Sequence, residues 1–89
     1  MGINQFKAFA LETMCEAHKW KFGQEDYFTL KGWTFRIRLE QRGFNGVFTL
    51  TQIYPGAPEG KQEGEPEYFQ DMGRLFYSLF NGHYLISYN

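Results

Sequence analysis

Apolar and polar residues alternate strictly along the middle of the chain. From Trp33 to Leu39 every second residue is large and apolar, and the alternation returns at Phe48 and Leu50. A period of two is expected of a β-strand with one buried face. Any even-length loop keeps these apolar residues on one face of an antiparallel hairpin. Three loops have this parity: Arg42-Gly43, Asn45-Gly46 and a four-residue loop between them.

A further strand is predicted just before this hairpin. Phe28 and Leu30 point one way, and their polar neighbours point the other. A tight connection at Lys31-Gly32 would set Leu30 opposite Trp33 and Phe28 opposite Phe35. The three strands therefore form an antiparallel meander with one apolar face.

Two segments have the three- and four-residue apolar spacing of an amphipathic helix. The first runs from about Asn4 to Lys19, with Asn4 as the predicted N-cap. The second runs from Pro66 to Asn81, because proline suits the first turn of a helix. Residues 55–66 contain all three prolines and three glutamates, and this composition predicts an exposed loop.

The last residues of the chain leave room for one short strand. Its residues Tyr84, Ile86 and Tyr88 would form a sheet edge that could pair in a homodimer. The predicted fold class is α+β, and residues 1–89 form a single small domain. Its order is helix, three-stranded antiparallel meander, helix and short C-terminal strand, with both helices packed on one face of the sheet.

Aromatic residues make up 20% of the chain, with ten Phe, six Tyr and two Trp. A domain of this size cannot hide so many rings, so several are expected on a binding surface or a subunit interface. The formal net charge of −1 argues against a general polyanion binder, since such proteins carry an excess of Lys and Arg.

The cysteine and histidine content argues against an enzyme. Cys15 is the one cysteine, which excludes an internal disulfide and fits the reducing cytoplasm. Cys15 and His18 share a helix face but lack the further groups of a catalytic or metal site, so Cys15 is interpreted as a small core residue. We expect no cofactor and no metal. Neither an export signal nor a run of about 20 apolar residues is present, so no membrane partner is expected.

Carboxylates run from the long loop into the second helix and could meet a basic partner. With nearby aromatic residues, they give the leading hypothesis, a non-enzymatic protein-binding module. The element order and small size are similar to many phage or mobile-element proteins that inhibit host machinery, such as anti-defence or anti-CRISPR proteins. This similarity implies an inhibitor. The predicted protein-binding residues are Tyr54, Glu59, Glu63, Glu65, Glu67 and Tyr68.

The sheet face opposite the helices gives the alternative hypothesis. Arginines and a tyrosine on a sheet can pair with and stack on single-stranded nucleic acid. Only a few phosphate contacts could form, so the affinity would be weak. The same side chains could also bind an acidic protein surface, or they could only form a solvated outer face of the sheet. The residues of this alternative surface are Tyr27, Lys31, Arg36, Arg38, Thr49 and Thr51.

Overall fold

The computed structural model describes residues 2–30, 32–54 and 62–81, which form two helices and one antiparallel sheet. The sheet has four strands in the order β1-β2-β3-β4. The predicted α+β class is therefore confirmed. The elements are α1 (Ile3–Glu16), a 3-10 turn (Ala17–Lys19), β1 (Glu25–Leu30), β2 (Trp33–Arg42), β3 (Asn45–Ile53), β4 (Glu67–Phe69) and α2 (Met72–Asn81).

The strand register between β1 and β2 is the predicted one. Leu30 lies opposite Trp33, and Phe28 lies opposite Phe35. The connection passes through Gly32, whose φ of 83° lies in the left-handed region that glycine adopts without strain. Parity and turn chemistry were therefore sufficient to set this register.

The hairpin between β2 and β3 closes on Gly43-Phe44, a loop that differs from both predicted two-residue loops. Arg42 pairs with Asn45, which settles the register that the sequence pattern left open. Gly43 has a φ of 61°, so the left-handed residue needed for a tight hairpin stands first in the loop. The predicted parity holds, because Leu39 lies opposite Phe48 on the same face.

The start of the second helix was predicted too early. Glu67–Phe69 is not helical but forms β4, which pairs with β3 and sets Phe69 opposite Phe48. The helix begins at Met72, and Asp71 caps it, since the Asp71 Oδ1 atom accepts the Arg74 N–H at 2.8 Å. Pairing with β3 gives the backbone of Glu67–Phe69 its hydrogen bonds, which a helical turn would otherwise supply.

The first helix begins slightly earlier than predicted. Gly2 rather than Asn4 is the N-cap, and its N–H donates to the Gln5 Oε1 atom at 3.2 Å. Cys15 is exposed, so the interpretation of this residue as part of the core is wrong. The helix buries Phe6, Ala10 and Thr13, a stripe that points away from Cys15.

Rings from both helices contact the apolar face of the sheet. The centroids of Phe6 and Phe76 lie 5.5 and 6.4 Å from the centroid of Phe28. Burial of a Phe side chain stabilises the fold by roughly 1.5 to 3 kcal/mol. We call this side of the sheet the inner face, and its buried residues are Phe28, Leu30, Phe35, Ile37, Leu39, Phe48 and Leu50.

Some sequence predictions lie outside the described residues. These are the predicted short C-terminal strand with its dimer contacts at Tyr84, Ile86 and Tyr88, the candidate residues Lys31 and Glu59, and most of the predicted loop 55–66. For the described part of that loop, the exposed positions include Gln62 and Glu63.

Candidate functional site

The side of the sheet opposite the inner face carries most of the candidate residues, and we call it the outer face. Cross-strand pairing places its side chains in two adjacent rows, because directly opposed residues point to the same side. One row is Tyr27, Arg36 and Thr51. The other row is Arg38, Thr49 and Tyr68.

Arg36 is held by a carboxylate from the described end of the predicted loop 55–66. Glu63 forms an isolated β-bridge with Ile53, and both of its oxygens accept hydrogen bonds from the Arg36 guanidinium, one of them at 3.1 Å. The hydrogen bond to Glu63 raises the pKa of Arg36, and the same bond lowers the pKa of the Glu63 carboxyl. Two residues predicted for separate surfaces therefore form one ion pair.

Arg38 is placed differently, although it lies two residues further along the same strand. Its Nε atom is buried and has no hydrogen-bond partner, and no carboxylate of the described residues forms an ion pair with Arg38. The Nε atom of Arg36 also lacks a hydrogen bond, but the Glu25 carboxylate lies 4.0 Å from it. Arg38 therefore has donor capacity that the described part of the chain leaves unused.

Two half-exposed tyrosines stand at opposite edges of the outer face. Tyr27 on β1 is 51% exposed, and its hydroxyl donates to the Glu25 Oε1 atom at 3.2 Å. Tyr68 on β4 is 48% exposed, and the Arg42 guanidinium carbon lies 4.0 Å above its ring centroid. This cation–π contact fixes Arg42 beside the ring. The tyrosines offer amphipathic surface on both sides of Arg38.

The two threonines of the alternative surface are not available for contact. Thr49 and Thr51 lie on the outer face as expected, but each is only 3% exposed. They lie on β3, which has a neighbouring strand on each side, and the long side chains of Arg36 and Arg38 stand directly opposite them. The Thr49 hydroxyl donates to the Arg38 carbonyl at 3.4 Å. Thr49 and Thr51 therefore contribute almost no accessible surface to this face.

The acidic patch predicted for protein binding is divided among different sites. Glu63 is paired with Arg36, and Glu67 lies half-buried opposite Leu50 on the inner side of β4. Glu65 is exposed. Tyr54 is 39% exposed, with its ring edge-on to Trp33 at 6.1 Å. Glu63 and Glu67 therefore lie on opposite sides of the sheet, whereas Tyr54 lies beside the segment that carries Glu63, since its N–H donates to the Gln62 carbonyl at 2.6 Å.

Cys15 and His18 are both exposed, and no hydrogen bond joins them. Within residues 2–30, 32–54 and 62–81, no group of three or more His, Cys, Asp or Glu side chains is arranged to hold a metal ion. Neither helix in these ranges has the length and apolar content needed to cross a bilayer.

Arg42 and Glu25 belong to the outer face but were not among the predicted residues. Arg42 has the same strand parity as Arg36 and Arg38, so continued alternation along β2 could have found it. Glu25 was missed because β1 begins there, two residues before Tyr27, where the predicted strand alternation starts.

Comparisons with known proteins identify no relative of this chain. No family model, no curated protein and no solved structure matches the chain. The functional interpretation therefore depends on the side chains of the outer face and on their physical chemistry.

Proposed function

We propose that this chain is a non-enzymatic protein-binding module that binds its partner through the outer face of the sheet. The observation that carries the proposal is Arg38, a half-buried arginine whose Nε atom has no acceptor among the described residues. The rest of the Arg38 guanidinium also forms no ion pair with the described residues, so its terminal nitrogen atoms can donate to an acceptor that a partner supplies. A carboxylate is the favoured acceptor, because its two oxygens match the planar guanidinium.

The surroundings of Arg38 support a protein partner. Tyr27 and Tyr68 are half-exposed near it, and tyrosine and arginine are enriched among the residues that dominate protein interfaces. Arg36 and Arg42 are already held by Glu63 and Tyr68, so they are ordered before binding. An ordered side chain loses less entropy when a partner docks. The proposed binding residues are therefore Tyr27, Arg38, Arg42 and Tyr68, with Arg36 and Glu63 as their support.

A narrower form of this proposal is an inhibitor that covers a working surface of a host protein, as phage or mobile-element inhibitors do. Such an inhibitor needs only a binding face and no catalytic group. The support for it is the small size and the order of elements, and a cytoplasmic location accompanies it as a prediction. Identification of the captured partner tests this narrower form.

Single-stranded nucleic acid is the less supported alternative. Among the described residues, the outer face carries three arginines, Arg36, Arg38 and Arg42, against the carboxylates of Glu25, Glu40 and Glu63. This balance leaves little net attraction for a phosphate backbone. If a strand binds here, Arg36→Glu with Arg38→Glu should abolish a gel shift of labelled oligonucleotide in low salt. A gel shift that persists with both substitutions would show that the oligonucleotide binds at another surface.

The deciding experiment is affinity capture from host lysate, followed by calorimetry with the purified partner. Arg38→Ala should weaken binding by at least about tenfold, as expected for a central interface arginine. The matched control is Arg74→Ala, which removes an exposed arginine that pairs with Asp71 on α2. Failure to recover a stoichiometric partner would overturn the proposal. Equal affinities for the Arg38→Ala variant and the unmodified chain would show that another surface binds.

A further inference from the structure

Glu25 is the residue that lies directly opposite Arg38, but its carboxylate is turned away from that arginine. The register between β1 and β2 pairs Glu25 with Arg38. Directly opposed residues of an antiparallel pair have Cβ atoms about 4.5 to 5.5 Å apart, so a glutamate and an arginine at these positions can reach each other. No ion pair joins these two described residues. The direction of the Glu25 side chain therefore needs a separate cause.

The neighbouring row of Tyr27 and Arg36 holds the Glu25 carboxylate. Its Oε1 atom accepts the Tyr27 hydroxyl at 3.2 Å, and its Oε2 atom lies 4.0 Å from the Arg36 Nε atom. A hydrogen bond to an ionised carboxylate is stronger than one between neutral groups. The Tyr27 hydroxyl therefore fixes the direction of the Glu25 side chain.

Charge alone favours the opposite arrangement. Arg36 already has a carboxylate partner, because both oxygens of Glu63 accept hydrogen bonds from its guanidinium. Arg38 forms no ion pair with the described residues, and its buried Nε atom has no hydrogen-bond partner among them. A carboxylate is attracted more strongly to a cation that no other anion neutralises. Without the Tyr27 hydroxyl, Glu25 would therefore gain by turning to Arg38.

We propose that Tyr27 is a positioning residue whose hydroxyl holds Glu25 away from Arg38 and so keeps the Arg38 guanidinium available to a carboxylate of the partner. This inference rests on the proposed outer-face function, because the availability of Arg38 matters only when a partner uses it. Glu25 is then the internal competitor of that partner. A chain without the hydroxyl would occupy its own site, because Glu25 and the partner carboxylate need the same guanidinium.

The first test follows Arg38 in the free chain by NMR, so it needs no partner. The Nε–H signal of Arg38 responds to a carboxylate at any nitrogen of the planar, delocalised guanidinium, and the variant Arg38→Lys identifies this signal by removing it. In Tyr27→Phe, the Nε–H hydrogen should exchange with water about fivefold more slowly, as expected for one partly exposed ion pair. Adding Glu25→Gln should reverse the change. No change in Tyr27→Phe, or a change that persists in the double variant, would overturn the proposal.

Two matched variants show whether the effect is specific. Glu40 is another carboxylate of the outer face, two residues beyond Arg38 on β2. Glu40→Gln in the Tyr27→Phe background should leave the slower exchange in place, which identifies Glu25 as the group that moves. Tyr77→Phe removes the hydroxyl of a tyrosine on α2 that is 70% exposed, and it should leave the exchange unchanged. Reversal by Glu40→Gln, or the same slowing in Tyr77→Phe, would contradict the proposal.

Affinity for the captured partner is the second test. Tyr27→Phe should raise the dissociation constant about fivefold, because the partner must displace Glu25. Adding Glu25→Gln should restore the affinity, whereas an affinity that stays low would show that the hydroxyl contacts the partner itself and would refute the positioning role. The two proposals fail separately. Equal affinities for Arg38→Ala and the unmodified chain would refute the outer-face function, while the exchange of the Arg38 Nε–H hydrogen would still decide whether Tyr27 positions Glu25.

Discussion

The two faces of the sheet are built from the same strands but are stabilised in different ways. On the inner face, the Phe28 and Phe35 rings stack at 5.3 Å within a closed apolar core. On the outer face, the half-buried Arg36 and Arg38 lie opposite the buried Thr51 and Thr49. Apolar packing is non-directional, whereas each guanidinium on the outer face needs a specific acceptor. The inner face therefore maintains the fold, whereas the outer face contains Arg38, whose Nε atom has no hydrogen-bond partner among the described residues.

Arg36 and Arg38 show this difference within the outer face itself. Both lie on β2 with the same orientation, but only Arg36 has a carboxylate partner, Glu63, among the described residues. Whether an arginine on this face forms an ion pair thus depends on whether another segment places a carboxylate beside it. Three predictions test the contrast between the faces and between these two arginines.

The largest expected effect is on the inner face. Phe35→Ala should lower the free energy of unfolding by about 3 to 5 kcal/mol, because Phe35 is 1% exposed and its removal leaves a cavity. Urea denaturation followed by circular dichroism measures this. Glu40→Ala, on the outer face of the same strand, is the control and should change the value by no more than about 0.5 kcal/mol. Similar losses for the two variants would contradict the division between the faces.

The second prediction separates the two arginines by stability. Arg36→Met should lower the free energy of unfolding by up to about 1 kcal/mol, since it breaks a partly exposed ion pair and leaves Glu63 unpaired. Arg38→Met keeps the aliphatic stem and removes a buried donor without an acceptor, so stability should be unchanged or slightly raised. The same denaturation measurement compares them. A larger loss for Arg38→Met than for Arg36→Met would disprove the assignment of Arg38 to binding.

The smallest effect concerns the pH dependence of the Arg36–Glu63 pair. Arg36 lowers the pKa of the Glu63 carboxyl below its ordinary value of 4.5, so the unfolded chain protonates this group first as pH falls. The stabilisation is complete above the ordinary pKa and is lost as pH decreases through the lowered one. It should amount to roughly 0.2 to 1 kcal/mol, since the pair is partly exposed.

Glu63→Gln tests this directly. The stability difference between the unmodified chain and the Glu63→Gln variant should be present near neutral pH and shrink at pH values well below 4.5. Glu65→Gln is the matched control from the same segment and should follow the unmodified chain at each pH. A difference between the unmodified chain and Glu63→Gln that grows toward acid pH would have the wrong sign for this pair.

The local pattern predicted much of the fold but little of the site. Alternation placed Phe35 and Ile37 on one face and Arg36 and Arg38 on the other, and a tight turn set Leu30 opposite Trp33. These features depend on the period of the backbone, which any short stretch of sequence contains. The pattern could not show that Thr49 is buried, since its burial depends on strands at both sides.

The sequence by itself determined the period of each main segment, the faces of the central strands and the presence of two helices. The tertiary structure decided that Glu67–Phe69 is a strand, because β3 offers backbone hydrogen bonds at that edge and thereby outweighs the helical spacing. It also decided that Glu63 forms an ion pair with Arg36, which lies 27 positions earlier in the sequence. The Nε atom of Arg38 has no hydrogen-bond partner among the described residues. Periodicity is a property of neighbouring residues, whereas pairing between distant groups exists only after the chain has folded.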